Sequence, residues 1–400
     1  MSTVFARVSK ASLVAASVTQ RLLLRFSYFL FSGLSKLSRS SISNASLVVG
    51  VYEVASMVKN ISDSIPGSVS VNLGNPGKEE FEYSHELPRL SKFFSPPARF
   101  VYGPILLGKL MVENHNFLYV GRLGFLNSSL DGRNWESSFL KSKGKNLICY
   151  LVGTDIRSPK KMLELEINTG EENIGTYQFA HLSRFERDRY EGQVLRFSSC
   201  VDAYSDATFT AKFDQASYLL KPTLPFLYFC PTHFFENDLA KFENFEKLII
   251  VHAPTNPTIK GTNLVRAAIR RLELEGFVFE YREIHGVSNQ DLQKVLKGAH
   301  ILLNEFYGFM PGVLAIEGLA KSCVVLTRAD YRFETDLGPE SAGAWVVTPP
   351  YMIYENLKVL LENPQSLRAQ AEKGFIWAQE NAAASLSARK IRSVIESLNS

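Results

Sequence analysis

Two loops in the second half of the chain each combine glycines with one charged side chain. In HAPTNPTIKGTNL (252–264), Lys260 precedes Gly261, and Thr262 is placed to cap the helix that follows. A cation beside exposed backbone N–H groups suits a phosphate, although a capped helix with a solvent-exposed lysine explains the same residues without a ligand. The Walker pattern GxxxxGK(S/T) is absent. His252, at the end of the preceding strand, is predicted either to contact the same ligand or to be a buried structural histidine.

The second loop, EFYGFMPGVLAIEGLA (305–320), has glycines where a ligand could pass close to the backbone. Gly308 and Gly312 leave room for that approach, and Gly312 begins a predicted helix whose N-terminus favours a diphosphate. Glu317 lies about one and a half turns into this helix. A carboxylate at that depth suits ribose hydroxyls, from which it accepts hydrogen bonds. A solvated helical glutamate is the alternative interpretation.

Other chemistry-bearing residues are few or badly spaced. In the motif GTDIR, Asp155 is predicted either to cap a turn or to bind an acceptor substrate, and Arg157 is a candidate to meet an anionic acceptor or a phosphate. The histidines show no metal-like spacing, and no GxSxG, HExxH or GxGxxG motif occurs, which disfavours hydrolase and dehydrogenase functions. The cysteines form no CxxC pair, so we expect buried free thiols in a reducing cytoplasm. They are Cys149, Cys200, Cys230 and Cys323.

Positive charge is concentrated at the N-terminus. The chain has 44 basic and 40 acidic residues, and its first 52 residues contain six of the basic residues and no acidic one. The remaining body therefore has 38 basic residues against 40 acidic ones, which disfavours binding of nucleic acid by the body.

The N-terminal arm, residues 1–45, has a helical charge pattern. If it forms one helix, its six basic side chains fall within roughly 80° of arc at about 100° per residue, and apolar residues occupy the wider remaining surface. We expect such an arm to lie in a membrane interface with its cations toward anionic headgroups. A cleaved transit peptide and an arm that packs on the body are the alternatives. The basic residues are Arg7, Lys10, Arg21, Arg25, Lys36 and Arg39.

From Ser46 onward, apolar runs alternate with helical periods, which is the pattern of an α/β protein with parallel sheets. One lobe is predicted over 46–235 and a second over 236–378, followed by a C-terminal helix in 379–400. Open parallel sheets bind ligands outside the carboxyl ends of their strands. Both charged loops follow predicted strands, so we expect them to meet at one edge of the second sheet.

The order of the second-lobe segments has a parallel in a known family. HAPTNPTIKGT, EIHGVSNQDL and AHILLNEFYGFMPGVLAIEGLAKSCVVL resemble the donor lobe of the group 1 retaining glycosyltransferases over roughly 247–350. YLVGTDIR (150–157) resembles a segment of that family's bacterial surface-polysaccharide branch, and VGVYEVASMVKNI (49–61) resembles its opening strand and helix more weakly. The resemblance implies a GT-B fold, in which two Rossmann-like lobes with parallel sheets face a central cleft.

By this resemblance the chain would transfer a sugar from a nucleotide-sugar donor, with retention, to a glycan or lipid-linked acceptor at the cytoplasmic face of a membrane. Lys260 would contact the donor diphosphate and Glu317 the ribose, and the two would be the catalytic residues. The segment 284–287 would contact the nucleobase. No bound cofactor or metal is implied, because a lysine and a helix N-terminus neutralise the leaving group. The implied donor-binding residues are His252, Lys260, Gly261, Thr262, Gly286, Val287, Gly308, Gly312, Val313 and Glu317.

Several positions depart from the family pattern. The family often has an arginine three to five residues before the lysine, where residues 255–257 are Thr, Asn and Pro. Its Glu-x7-Glu pair requires a first glutamate at the position of Phe309. The family usually has Asp at the position of His300 and commonly has Asp at that of Asn304. These departures motivate a second hypothesis, in which a catalytically weakened GT-B protein is a membrane-bound scaffold that binds nucleotide sugars.

Overall fold

Two parallel β-sheets, one in each half of the chain, organise the fold. The computed structural model describes residues 10–38, 46–74, 81–87, 95–127, 130–243 and 247–400. The prediction of an α/β protein with two parallel sheets is therefore confirmed. Arg7 and Arg39 of the predicted basic face lie outside the described residues.

The sheet of the first lobe has the strand order β3-β2-β1-β4-β5-β6. Strands β1 and β4 are buried along their whole length because helices cover both faces, which explains their continuous apolar sequences. The strands are β1 (Leu47–Val51), β2 (Val69–Asn72), β3 (His85–Glu86), β4 (Asn116–Val120), β5 (Asn146–Tyr150) and β6 (Ala207–Phe209). The helices are α1 (Lys10–Ser38), α2 (Met57–Ser64), α3 (Ser95–Glu113), α4 (Asn134–Ser142), α5 (Pro159–Thr169), α6 (Ile174–Gln178) and α7 (Arg184–Tyr204).

The sheet of the second lobe has the strand order β11-β10-β9-β7-β8. Its strands are β7 (Leu248–His252), β8 (Phe279–Glu283), β9 (Ile301–Leu303), β10 (Val324–Thr327) and β11 (Val346–Val347). Its helices are α8 (Pro257–Lys260), α9 (Thr262–Leu274), α10 (Asn289–Gly298), α11 (Gly312–Ala320), α12 (Ile353–Glu362), α13 (Ser366–Asn381) and α14 (Ala384–Asn399). The chain order reverses between β1 and β4 in the first sheet and between β7 and β9 in the second. Such switch points open the crevices in which α/β sheets bind ligands.

Helix α1 packs against α3 as part of the first lobe. Leu24 is buried in the first-lobe core, and Gly108 of α3 admits α1 because a Cβ there would lie 2.0 Å from Oγ of Ser27. Arg21 and Arg25 of the predicted basic face have their guanidinium groups 5.2 and 5.5 Å from the centre of the Trp135 ring. Among the described residues, no helix has the length and apolar character needed to span a membrane.

The C-terminal helix α14 returns to the first lobe. Its buried face, with Ala388 and Ile391, shares a core with β1 and α2 of the first lobe. Ser387 donates a hydrogen bond to the carbonyl of Tyr228 at 2.5 Å, which ties the helix to the segment that connects the two lobes. All four cysteines are buried and free, as the sequence predicted.

Candidate functional site

The first charged loop is supported from below by His252, the last residue of β7. Its Nδ1 lies 2.7 Å from the carbonyl oxygen of Leu303, and its Nε2 lies 2.9 Å from Oγ1 of Thr262. Burial lowers the pKa of His252 to about 4, so the imidazole is neutral at physiological pH. Both ring nitrogens are engaged inside the lobe, so His252 is a buried structural histidine that positions the loop.

The loop itself differs from the prediction in one detail. Gly261, in the left-handed conformation with φ of 72°, separates the short helix α8 from α9 and is the N-cap of α9. Thr262 is therefore the first helical residue, and its hydroxyl is bonded to His252 instead of capping the helix. Asn256 caps α8 by accepting hydrogen bonds from Thr258 and Ile259, which fixes the position from which Lys260 projects.

Lys260 forms an ion pair with Glu305, which follows β9 on the other side of the switch point. Both side chains are largely buried, with relative exposures of 18% for Lys260 and 8% for Glu305. Oε2 of Glu305 contacts the lysine, whereas its Oε1 is buried without a hydrogen-bond partner among the described residues. Glu305 is thus the partner of Lys260, the cation that the sequence assigned to a phosphate.

Two glycines keep the space around Glu305 open. A Cβ on Gly308 would lie 2.8 Å from Oε1 of Glu305. Gly312 has a φ of 71° and begins α11, and a Cβ there would lie 3.8 Å from Oε2 of Glu305. Lys260, Glu305 and the N-terminus of α11 therefore meet at one point, where the positive end of the helix and the lysine favour an anion. Val313, the next helical residue, packs partly buried against the first-lobe core.

Glu317, in the second turn of α11, faces a cavity of about 830 Å³ between the lobes. The carboxylate is only 4% exposed and accepts a hydrogen bond from Nδ2 of Asn289 at 3.0 Å. In the first lobe, Ser56 and helix α2, which contributes Lys59, line the same cavity. Gly286 and Val287 are exposed immediately before Ser288, which also lines the cavity. Lys260 does not line this cavity. It lies near the N-terminus of α11, and the second turn of the same helix carries Glu317.

The two predicted acceptor residues are engaged inside the protein. Oδ2 of Asp155 accepts a hydrogen bond from the amide of Val152 at 3.2 Å and closes a turn. Arg157 is buried, pairs with Asp214 at 3.1 Å and donates to Gln178 at 2.6 Å. Asp214 in turn accepts from the amide of Phe309 at 3.0 Å. Arg157 therefore supports a contact between the lobes in this structure and is not presented to an acceptor.

Phe309, at the position of the family's first glutamate, belongs to an aromatic cluster between the lobes. Its ring lies 4.7 Å from Phe213 of the first lobe and 4.8 Å from Phe333, measured between ring centres. The guanidinium group of Arg328 lies 4.3 Å from the Phe309 ring centre. Residue 309 itself supplies no carboxylate, and the Asp214 carboxylate bonded to its amide is paired with Arg157. Glu305 is the acidic residue earlier in the same loop.

Sequence reasoning did not single out Glu305, Asn289 or Lys59. Glu305 lies two residues after the buried strand β9, next to the switch point of the second sheet. That position could have indicated a functional residue. The contact of Asn289 with Glu317 and the placement of Lys59 depend on how helices pack, which no local pattern in the sequence indicates. Among the described residues, no three His, Cys, Asp or Glu side chains converge as a metal site would require.

No protein-family model and no curated protein sequence matches this chain. Solved structures do match it in fold. Sucrose-phosphate synthase from Thermosynechococcus elongatus has a TM-score of 0.56 at 13% identity, over 88% of this chain and 98% of that one. WaaG, a glycosyltransferase involved in lipopolysaccharide biosynthesis, has a TM-score of 0.54 at 11% identity, over 88% and 99%. A glycosyltransferase from Rickettsia africae has a TM-score of 0.55 at 12% identity, over 88% and 98%. The chain has the GT-B fold of these glycosyltransferases.

Proposed function

We propose that this protein is a glycosyltransferase that moves a sugar from a nucleotide-sugar donor to an acceptor held by the first lobe. The observation that carries the proposal is the course of α11. Its N-terminus meets Lys260 at an anion-favouring point, and its second turn presents Glu317 to the cavity between the lobes. Gly312 and Glu317 are five positions apart in the helix, which corresponds to about 7.5 Å along the axis. A nucleoside diphosphate lying along α11 can reach both ends.

In this proposal the nucleoside occupies the cavity between the lobes. Glu317 accepts hydrogen bonds from ribose hydroxyls, and Asn289 holds its carboxylate in place. The nucleobase lies near 284–287 and the start of α10. Gln293 supports this placement, because it lines the cavity and both polar atoms of its buried amide lack hydrogen-bond partners among the described residues. Buried amide groups are normally bonded, so a ligand edge is a suitable partner.

The diphosphate in this proposal lies at the N-terminus of α11. Negative charge builds on it as the bond to the sugar breaks, and Lys260 together with the backbone N–H groups of Gly312 and Val313 stabilises that charge. The lysine has three N–H donors, so it can turn from Glu305 toward a phosphate oxygen. Retention of configuration and a lipid-linked or polysaccharide acceptor are proposed on the family resemblance.

A membrane location is supported by the outer face of α1. Seven large apolar side chains on this face are at least 46% exposed, and Phe29 reaches 77%. They are Val14, Val18, Leu22, Phe26, Phe29, Leu30 and Leu34, called here the apolar ridge. The ridge is about 30 Å long, and α1 contains no acidic residue. We propose that it lies in a lipid interface, with Arg25 and Lys36 available to anionic headgroups.

Phe309 favours a second candidate function, a scaffold that binds nucleotide sugars without turning them over. Phe309 replaces the family's first glutamate, and the carboxylate of Asp214, which accepts a hydrogen bond from the Phe309 amide, is paired with Arg157. The retaining glycosyltransferases that this chain resembles have a pair of glutamates in this motif. This chain has only the second of them, Glu317. The scaffold and the enzyme share the donor site and differ in turnover.

Paired variants of the donor site test the proposal. A thermal-shift screen of UDP-, GDP-, ADP- and CMP-sugars identifies the donor, because a ligand at about 100 times its Kd stabilises the folded state by about 2.7 kcal/mol. Lys260→Ala should then lower kcat for donor hydrolysis or transfer by about 10²–10³. Glu317→Gln should weaken nucleotide binding by about 1.5–3 kcal/mol.

Two exposed residues of the same lobe provide matched controls. Lys294→Ala removes a lysine at the surface of α10, and Glu372→Gln removes a carboxylate at the surface of α13. Both should leave donor binding and turnover unchanged. Donor binding without turnover in the unaltered chain would favour the scaffold, whereas full turnover and affinity in the Lys260→Ala, Glu317→Gln double variant would contradict the donor site that both functions share.

A further inference from the structure

A second cavity, in the first lobe, is lined by three arginines. It has a volume of about 180 Å³ and lies between the start of α3, the loop after β4 and the middle of α7. Arg99, Arg122 and Arg196 line it. The other described lining residues are neutral: Leu123, Leu126, Asn127, Gly132 and Gln193. Three cations thus converge on one small space that no lining carboxylate neutralises.

The arginines are held in place by aromatic rings and backbone groups. The guanidinium of Arg99 lies 4.4 Å from the centre of the Tyr52 ring, and its Nη2 donates to the carbonyl of Gly124 at 3.1 Å. The guanidinium of Arg122 lies 5.6 Å from the Tyr190 ring centre, and its buried Nη1 has no hydrogen-bond partner among the described residues. Cations fixed in this way keep donor atoms available for a ligand.

The nearest carboxylates have other partners. Glu136 accepts hydrogen bonds from the hydroxyl of Tyr119 and from the amides of Phe125 and Leu126, and it is fully inside the core. Asp155 accepts hydrogen bonds from the amides of Val152 and Arg122, and its carboxylate lies close enough to the Arg122 side chain to interact with its charge. Burial lowers the pKa of Arg99, which reflects the cost of holding a guanidinium there without a carboxylate in direct contact. A bound anion would offset that cost.

The cavity also lies where the topology predicts ligand binding. Arg122 is in the loop after β4, and β4 and β1 form the switch point of the first sheet. Helix α1 borders the same region, because Gln20 donates to the carbonyl of Phe100 at 2.9 Å and accepts from the amide of Asn127 at 2.9 Å. The buried face of α1 around Gln20 is therefore next to the arginine cavity.

We infer that the arginine cavity binds a phosphate group carried by the acceptor. The inference rests on the proposed function, in which the first lobe holds the acceptor. Guanidinium groups recognise phosphate oxygens through charge-assisted, often bidentate hydrogen bonds. At about 180 Å³ the cavity is smaller than the roughly 300–1,000 Å³ of sites that enclose a whole small ligand, so it fits one charged group of a larger molecule. The phosphate belongs either to a lipid headgroup or to a soluble phosphorylated glycan.

The test measures binding of inorganic phosphate to the full chain by isothermal titration calorimetry. Arg196 is exposed on α7, so Arg196→Gln removes one cation with little effect on folding, and Arg122→Gln removes the residue with the unpartnered nitrogen. Each change should weaken phosphate binding by at least about tenfold. Arg189→Gln, an exposed arginine on the same helix outside the cavity, is the matched control and should leave the affinity unchanged.

The Lys260→Ala variant separates this inference from the proposed donor site. Phosphate binding that persists in Lys260→Ala and is lost in Arg196→Gln supports the arginine cavity, whether or not nucleotides bind the chain. Phosphate binding that is unchanged in both arginine variants would overturn the inference, even if the donor site is correct. Vesicles that contain a phosphomonoester lipid distinguish the sources: weaker vesicle binding by the arginine variants indicates a lipid phosphate, and unchanged vesicle binding with weaker phosphate binding indicates a soluble acceptor.

Discussion

Glu305 is the residue that most changes the interpretation of the donor site. The sequence places Lys260 in a phosphate-binding loop, but it contains no local sign that a carboxylate from another loop, 45 positions away, holds this lysine. Because Glu305 lies against Gly312, its charge opposes a diphosphate at the N-terminus of α11. Donor binding must therefore displace the carboxylate from Lys260 or tolerate its charge.

The charge of Glu305 gives a prediction with a definite sign. Glu305→Gln keeps the shape of the side chain and removes the competing charge, so the affinity for a nucleoside diphosphate should rise by roughly 3- to 10-fold. Glu305→Asp keeps the charge and should produce no such gain. Calorimetric titration of both variants makes the comparison. Weaker binding by Glu305→Gln would contradict the competition and assign Glu305 to direct positioning of the ligand.

Other single residues show where inference from sequence ends. The sequence proposes Lys260, Gly312 and Glu317 from residue types and spacing, because each belongs to a loop or helix whose start the local pattern indicates, and their binding roles stay predictions. The partners of Asp155 and Arg157 were not predictable in this way. Arg157 reaches Asp214, which is 57 positions away, and the choice between an internal and an external partner is decided by packing.

At the scale of elements, α1 is a helix as expected, and it packs on the first lobe through a face that its charge pattern does not indicate. The sequence predicts a helix with segregated cations, and the structure has one from Lys10 to Ser38. The face toward the body is nevertheless formed by Gln20, Leu24 and Ser27, and only one of these is apolar. Polar residues face inward because Phe100 and Asn127 offer backbone hydrogen bonds, which amphipathicity alone does not predict. The larger apolar side chains are left outside.

Substitution of the apolar ridge tests its proposed contact with lipid. The triple change of Leu22, Phe26 and Phe29 to Asn should release the chain from anionic vesicles, because the buried apolar area provides much of the binding free energy. All three side chains are exposed, so the first-lobe core is unaffected. Co-sedimentation with vesicles measures the change.

Two other exposed apolar residues of the first lobe control for hydrophobicity itself. Phe185 and Leu220 are 75% and 90% exposed and lie outside α1. Changing both to Asn should leave vesicle binding intact. Equal vesicle binding by the ridge variant and the unaltered chain would contradict the lipid contact, and a change from dimer to monomer in the ridge variant would assign the ridge to a second copy of the chain.

At the scale of the whole molecule, the two lobes are joined by contacts that sequence patterns do not contain. The buried carboxylate of Glu334 in the second lobe accepts hydrogen bonds from the amides of residues 212–214 in the first. Phe213 packs on Phe309, and α14 returns from the second lobe to the first. Hydrophobic periodicity predicted the two sheets because each strand is buried by its own helices. The contacts between the lobes pair residues more than 90 positions apart, and therefore they emerge only from the assembled fold.

The central claim is that one donor lies along α11, with its diphosphate at Lys260 and its ribose at Glu317. A crystal structure of the chain with the nucleoside diphosphate selected by the donor screen measures this directly. The account predicts a phosphate oxygen within hydrogen-bond distance of Nζ of Lys260 and of the amide of Gly312, with a ribose hydroxyl on the carboxylate of Glu317. A nucleotide bound elsewhere, in contact with neither Lys260 nor Glu317, would contradict the account.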